Sequence, residues 1–157
     1  MSETLPDRPR KFLVVVDKTP ECKIAVRFAA RRAQHTNGRV TLLCVAQPAD
    51  FQQWRGVEEI MKDEARQEAE GLVYAAAKTV GELAGIIPEL VIAEGRPTEA
   101  LLELIKADPD ISILVLASST AKDGPGPLVG LFVDSVQVIP VTIVPGNFSD
   151  EKIDQLA

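Results

Sequence analysis

The chain has 157 residues, enough for one domain with a real core, and its 46% hydrophobic and 25% charged content is that of an ordinary globular protein. A formal charge of −6 argues against a nucleic-acid partner, which needs a basic footprint. No apolar run reaches membrane-spanning length, and two cysteines make no disulfide framework.

Residues 1–10 are polar, carry two prolines and lack the apolar centre of a signal peptide. They read as a mobile arm, and the chain as cytoplasmic. Residues 11–16 are almost all apolar and predict a first strand, ending at Asp17. Thr19 is a good N-cap and Pro20 suits a first helical position, so a helix is expected from there to Asn37, with Gly38 as a left-handed cap. Ile24, Phe28 and the alanines around them form its inner face. Cys22, at the helix start, reads as a packing residue, the alternative being a thiol activated by the helix end.

A second strand is expected over residues 39–46, with Cys44 as a buried thiol, and then a loop carrying Phe51 and the only tryptophan, Trp54. A long amphipathic helix follows over residues 57–84. Its apolar positions are Val57, Ile60, Met61, Leu72, Val73, Ala76, Val80 and Leu83, and Gly85 stops it. Residues 88–93 predict a short strand, its proline marking a strand start or an edge. Gly95-Arg96-Pro97 leads into a helix to Ala107, which Asp108-Pro109-Asp110 breaks.

Ile111–Ala117 is an unbroken apolar run, as in a strand buried on both faces of a parallel sheet. It gives way to small, polar and Gly/Pro-rich residues at 118–130. A short helix over 128–137, a last strand over 140–144 and an acidic tail over 147–157 complete the order. Helices alternating with strands imply an α/β fold: a mostly parallel sheet with right-handed crossovers and helices on both faces. Ligands in such folds bind beyond the carboxyl ends of the central strands.

Several chemistries are excluded. No G-x-G-x-x-G follows the first strand, and no G-x-x-x-x-G-K-[ST] occurs. The first strand ends in one carboxylate rather than an acidic pair, and the third ends without an Asp, unlike a phosphoacceptor domain. The single histidine, His35, lies on a polar helix surface, so a His-based metal cluster or a Ser–His pair is not expected, and no metal site is assigned.

Residues 11–145 resemble the universal stress protein family. The resemblance rests on KFLVVVD with the helix AVRFAARRA, on residues 40–45, on VIAEGRPTEALLELI, on ISILVLAS and on IPVTIVPG, in this order and spacing. It implies a Rossmann-like open five-stranded parallel sheet ordered 3-2-1-4-5, over residues 11–146, with a switch point over Asp17 and Ser118. Members that bind ATP carry G-x-x-G-x9-G-[ST] after the fourth strand, the glycines letting phosphates reach the backbone. In that register this chain has Ala117, Ser118, Ser119 and Thr120, then Gly130 followed by Leu131. Gly126 is the alternative third glycine, and Pro125 and Pro127 remove N–H donors.

The resemblance therefore implies a stress-response or regulatory protein without turnover and without strong ATP binding, acting through a homodimer and an unidentified protein partner. The competing reading is an adenine-nucleotide-binding member with slow ATPase activity and ATP–Mg²⁺ as its cofactor. Candidate nucleotide-site residues are Asp17, Val45, Ala117, Ser118, Ser119, Thr120, Lys122 and Gly130. No catalytic residue is assigned. Asp17 either touches a ligand or caps the turn that follows it. Val141, Thr142, Ile143 and Val144 form the expected dimer edge: β-branched, without a lysine, and hazardous unless covered. Relatives commonly pair this strand about a two-fold axis. The alternative is that residues 147–157 fold back over it, gripping with Phe148, Ile153 and Leu156.

Overall fold

The structure is a computed structural model that describes residues 9–47, 58–119 and 139–157. Five parallel strands form one sheet in the order β3-β2-β1-β4-β5. They are β1 (Lys11–Val15), β2 (Arg39–Ala46), β3 (Glu89–Glu94), β4 (Ile111–Ala117) and β5 (Val141–Val144). The helices are α1 (Cys22–Thr36), α2 (Glu58–Ala84), α3 (Pro97–Ala107) and α4 (Asp150–Leu156). The expected helix over 128–137, the loop with Phe51 and Trp54, and most of the N-terminal arm lie outside the described residues.

The central strand explains the apolar runs. Every residue of β1 is buried, because strands flank it on both edges and side chains cover both faces. One face packs Phe12, Val14, Leu42 and Cys44 against α1, α2 and α4. The other packs Leu13, Leu43, Leu114 and Leu116 against Leu101 and Ile105 of α3. The sheet order and the placing of helices on both faces agree with the sequence-based expectation.

Element ends differ in instructive ways. The turn over Pro20 and Glu21 precedes α1, which starts at Cys22. The Asp17 carboxylate explains the delay: Oδ1 accepts from the Thr19 backbone N–H at 2.9 Å and from the Thr19 hydroxyl at 2.5 Å. Thr19 is thus held by Asp17 instead of capping the helix itself. The left-handed cap of α1 is Asn37, with φ 55°, and not Gly38. Gly38 is needed for a different reason, since a Cβ there would lie 2.7 Å from the carbonyl oxygen of Arg10. The apolar stripe of α2 is also shorter than its periodicity suggests. Ala69, Val73, Ala76 and Val80 are buried, but Ile60 is 58% exposed. A 27-residue helix is roughly 40 Å long and overhangs an eight-residue strand of roughly 26 Å.

Residues 147–157 are not a bare acidic tail. Ser149 caps α4 by accepting from the Lys152 N–H, and Ile153 is fully buried beside α1. Arg27 makes a bidentate pair with Asp154 (2.9 and 2.8 Å), and Arg31 reaches both Asp154 (3.1 Å) and the Leu83 carbonyl at the end of α2 (2.8 Å). Helix α4 therefore docks on α1. Of the three residues expected to grip the β5 edge, Ile153 and Phe148 pack in the core cluster that holds Val144, and Leu156 is 53% exposed.

At the opposite end of the sheet, Lys11 is 3% exposed, and its ammonium meets Asp108 and Glu89, both at 2.5 Å. The fully buried Thr41 donates its hydroxyl to the same Glu89 oxygen at 3.0 Å. Ser112 fills the irregularity between β1 and β4, accepting from the Lys11 N–H and donating to its carbonyl. Among the described residues no helix is long and apolar enough to cross a membrane.

Candidate functional site

Sheet order reverses direction at β1, so loops leaving β1 and β4 part there and open a crevice. A cavity of about 540 Å³ lies on the β2 side of that point, over the ends of β1 and β2, with no described β4 residue in its lining. Its floor is the carboxyl end of β1 and β2: Val15, Val16, Cys44, Val45 and Ala46. One wall is α2, through Ala65, Glu68, Ala69 and Leu72, and Pro97 and Thr98 at the start of α3 close another side. The size suits a small ligand, and the mix of apolar floor and few polar groups is that of a binding site.

The charged groups at the rim already have partners within the chain. Asp17 lines the cavity, with Oδ1 committed to the Thr19 turn. Lys18, also lining, makes an ion pair with Glu68 across to α2. The two thiols nearby are poorly suited to nucleophilic work. Burial pushes the Cys22 thiol up to about 11, despite a backbone hydrogen bond acting the other way. Burial, with the Asp17 charge, raises that of Cys44. Burial and the raised thiol favour the packing reading of Cys22 over the activated-thiol alternative. Among the described residues no group of three His, Cys, Asp or Glu side chains could hold a metal ion.

Of the nucleotide-site candidates, the structure brings Asp17 and Val45 together in the cavity. Ala117 and Ser118 are at the end of β4 but are not part of its lining. Ser118 instead ties β4 to β5: its N–H donates to the Val144 carbonyl at 2.9 Å, and its hydroxyl accepts from the Gly146 N–H at 3.2 Å. Ser119 is likewise absent from the lining. Thr120, Lys122 and Gly130 lie outside the described residues, as do Pro125, Gly126, Pro127 and Leu131. The sequence reading missed Lys18, Gln47, Glu68 and Thr98. For Glu68 a signal existed, since it stands with Ala65, Ala69 and Leu72 in one stripe of α2 at i, i+3, i+4 and i+7 spacing. A charge inside an apolar stripe marks a place where the stripe borders solvent.

At the expected dimer edge, β5 hydrogen-bonds to β4, with Leu114 opposite Val141 and Ala117 opposite Val144. Val144 is 2% exposed and packs in its own chain's core, whereas Ile143 is 39% exposed.

The family model described as the universal stress protein family matches residues 9–144. No curated protein matches. Among solved structures, the universal stress protein UspA from Lactobacillus plantarum aligns with a TM-score of 0.73 at 19% identity, over 87% of this chain and 98% of that one. A universal stress protein family protein from Arabidopsis thaliana with AMP bound aligns with a TM-score of 0.62 at 18% identity, over 91% and 95%. A universal stress protein in complex with cAMP aligns with a TM-score of 0.59 at 21% identity, over 88% and 98%. At these identities the likeness is one of fold.

Proposed function

This chain belongs to the universal stress protein family, and from that premise we propose that it is a cytoplasmic regulatory protein that works as a homodimer on a protein partner, without turnover and without strong ATP binding. The observation that carries the reading is the state of the rim: Asp17 is bound to its own turn and Lys18 to Glu68. A triphosphate with Mg²⁺ would have to compete with both arrangements, and in the family register the loop after β4 keeps only Gly130 of the motif glycines, or Gly126 in the displaced alternative. Titration with ATP and Mg²⁺ by calorimetry is expected to give a dissociation constant no tighter than about 100 μM. A low-micromolar value, about −8 kcal/mol, would refute the reading.

The second reading, an adenine-nucleotide-binding member with slow ATPase activity, is favoured by the place of the cavity and by relatives described with AMP and cAMP. ATP hydrolysis needs a positioned water and a charge clamp. Among the described residues Asp17 is the rim carboxylate not held by a lysine. Phosphate release well above background and abolished by Asp17→Asn would establish this reading in place of the first.

Dimerisation through β5 is supported by its place at the end of the sheet, with no further strand beside it among the described residues, and by the exposed Ile143. Val144 contributes only its backbone, so a charge there would unfold the monomer and test nothing. Thr142→Lys combined with Ile143→Lys is expected to convert a dimer to a folded monomer by light scattering. A wild-type protein already monomeric at micromolar concentration would sink the proposal.

A further inference from the structure

The rim of the cavity carries three charged side chains among its described residues: Asp17, Lys18 and Glu68. Lys18 leaves the end of β1 and Glu68 projects from the third turn of α2, so their ion pair joins two walls of the opening. Both are well exposed, with side chains 70% and 48% accessible, and neither is needed to hold the core. Behind them the floor is apolar and includes Cys44, which is 2% exposed. Position, exposure and pairing are those of a clasp across the mouth and not of a structural staple.

We infer that the Lys18–Glu68 pair selects the cavity's ligand by charge: Lys18 receives the anionic group of a small molecule, a carboxylate or a phosphate, which displaces Glu68. In the closed pair Lys18 is satisfied by Glu68, and an entering anion must compete with that carboxylate for it. A neutral molecule meets only the steric part of that barrier. Exposed ion pairs are weak, so the pair can favour the closed arrangement by no more than about fivefold. Salt weakens it further, because the groups are screened. The inference goes beyond the regulatory reading above and does not depend on ATP binding.

Cys44 is a built-in reporter of entry. The chain has two cysteines, so a Cys22→Ala background leaves Cys44 as its only thiol. Its alkylation by iodoacetate, an anion, is compared with that by neutral iodoacetamide. The ratio of the two rates cancels the thiolate fraction, which burial lowers. Glu68→Gln is expected to raise the iodoacetate-to-iodoacetamide ratio about two- to fivefold, and Lys18→Gln to lower it by a similar factor. Raising ionic strength should bring all three proteins together. Inorganic phosphate and acetate, added in turn at constant ionic strength, should slow iodoacetate in the wild type but not in Lys18→Gln, and the stronger competitor identifies the anion class. Ratios unchanged in both variants, rates for both reagents moving together, competition by neither anion, or no native-state reaction with either reagent would each overturn the inference. Failure of the regulatory reading shows separately, as micromolar ATP binding by calorimetry.

Discussion

Truncating Ile153 to alanine is expected to lower the unfolding free energy by about 3 kcal/mol, within the 2–5 kcal/mol seen for large-to-small changes at sites that cannot collapse. Ile153 is fully buried and packs in the cluster that joins α1 and α2 to the sheet. Its surroundings cannot relax freely, because α4 is fixed to α1 by the Arg27 and Arg31 contacts to Asp154. In thermal denaturation the loss should appear as a fall of roughly 6–12 °C in midpoint for a chain of this size. Leu156→Ala is the control: that side chain is 53% exposed and should cost less than about 0.5 kcal/mol. Equal effects of the two changes would show that α4 is not docked. The result matters because Ile153 lies beyond the family-matched segment, which ends at residue 144. The family fold in this chain would then be completed by a helix the family pattern does not include.

How much of this was legible in sequence depends on what set each feature. The strands were readable because burial on both faces forces continuous apolar runs, and β1 and β4 are such runs. Local rules put the start of α1 too early because Thr19 and Pro20 satisfy them. A side chain two residues upstream, Asp17, took Thr19 for its own turn. Asn37 and Gly38 both suit a left-handed cap by residue type; Asn37 takes it, and Gly38 is needed for the close approach of the Arg10 carbonyl. Helix α4 read as a tail because its composition is acidic and its apolar grip small. Yet Ser149 followed by Asp150 and Glu151 is a helix-start pattern, and the arginines that neutralise the acid lie more than a hundred residues away. Asp17 and Val45 are candidates through the family resemblance, and both line the cavity at strand ends. The family register makes Ser118 a candidate ligand contact, and no local pattern shows that its hydroxyl accepts from the Gly146 N–H on the neighbouring strand connection. Lys18 and Glu68 pair across fifty residues, and nothing local in sequence joins them.

The same non-local logic governs Lys11, whose replacement by methionine is expected to cost about 2 kcal/mol at neutral pH. Methionine keeps much of the buried stem, so the change isolates the charge. Losing one member of a buried pair commonly costs 3–5 kcal/mol. The figure is discounted here because the side chains of Asp108 and Glu89 are 24% and 50% exposed and can turn to water. The pH dependence supplies a signature that packing loss alone would not. The hydrogen bonds from Lys11 hold both carboxyls below their ordinary values of 4.5 for Glu89 and 3.8 for Asp108. Groups with depressed folded-state values contribute stability that is fully present above the unfolded values and is lost as pH falls through the folded ones. Wild type should therefore lose this contribution below about pH 4.5. The Lys11→Met protein, whose carboxyls have no ammonium beside them, has none of it to lose. For Lys11 itself, burial alone would lower its value, but the hydrogen bonds to Asp108 and Glu89 prevail and raise it above 10.5. Its own contribution is then complete at every pH below that and fades only as pH rises beyond it. Urea unfolding followed by circular dichroism at pH 7 and at pH 3.5 reads both parts. The stability gap between the two proteins should narrow at the lower pH by at least half. A gap that stays constant with pH would mean that Lys11 contributes through its buried stem and not through the pair of carboxylates it bridges.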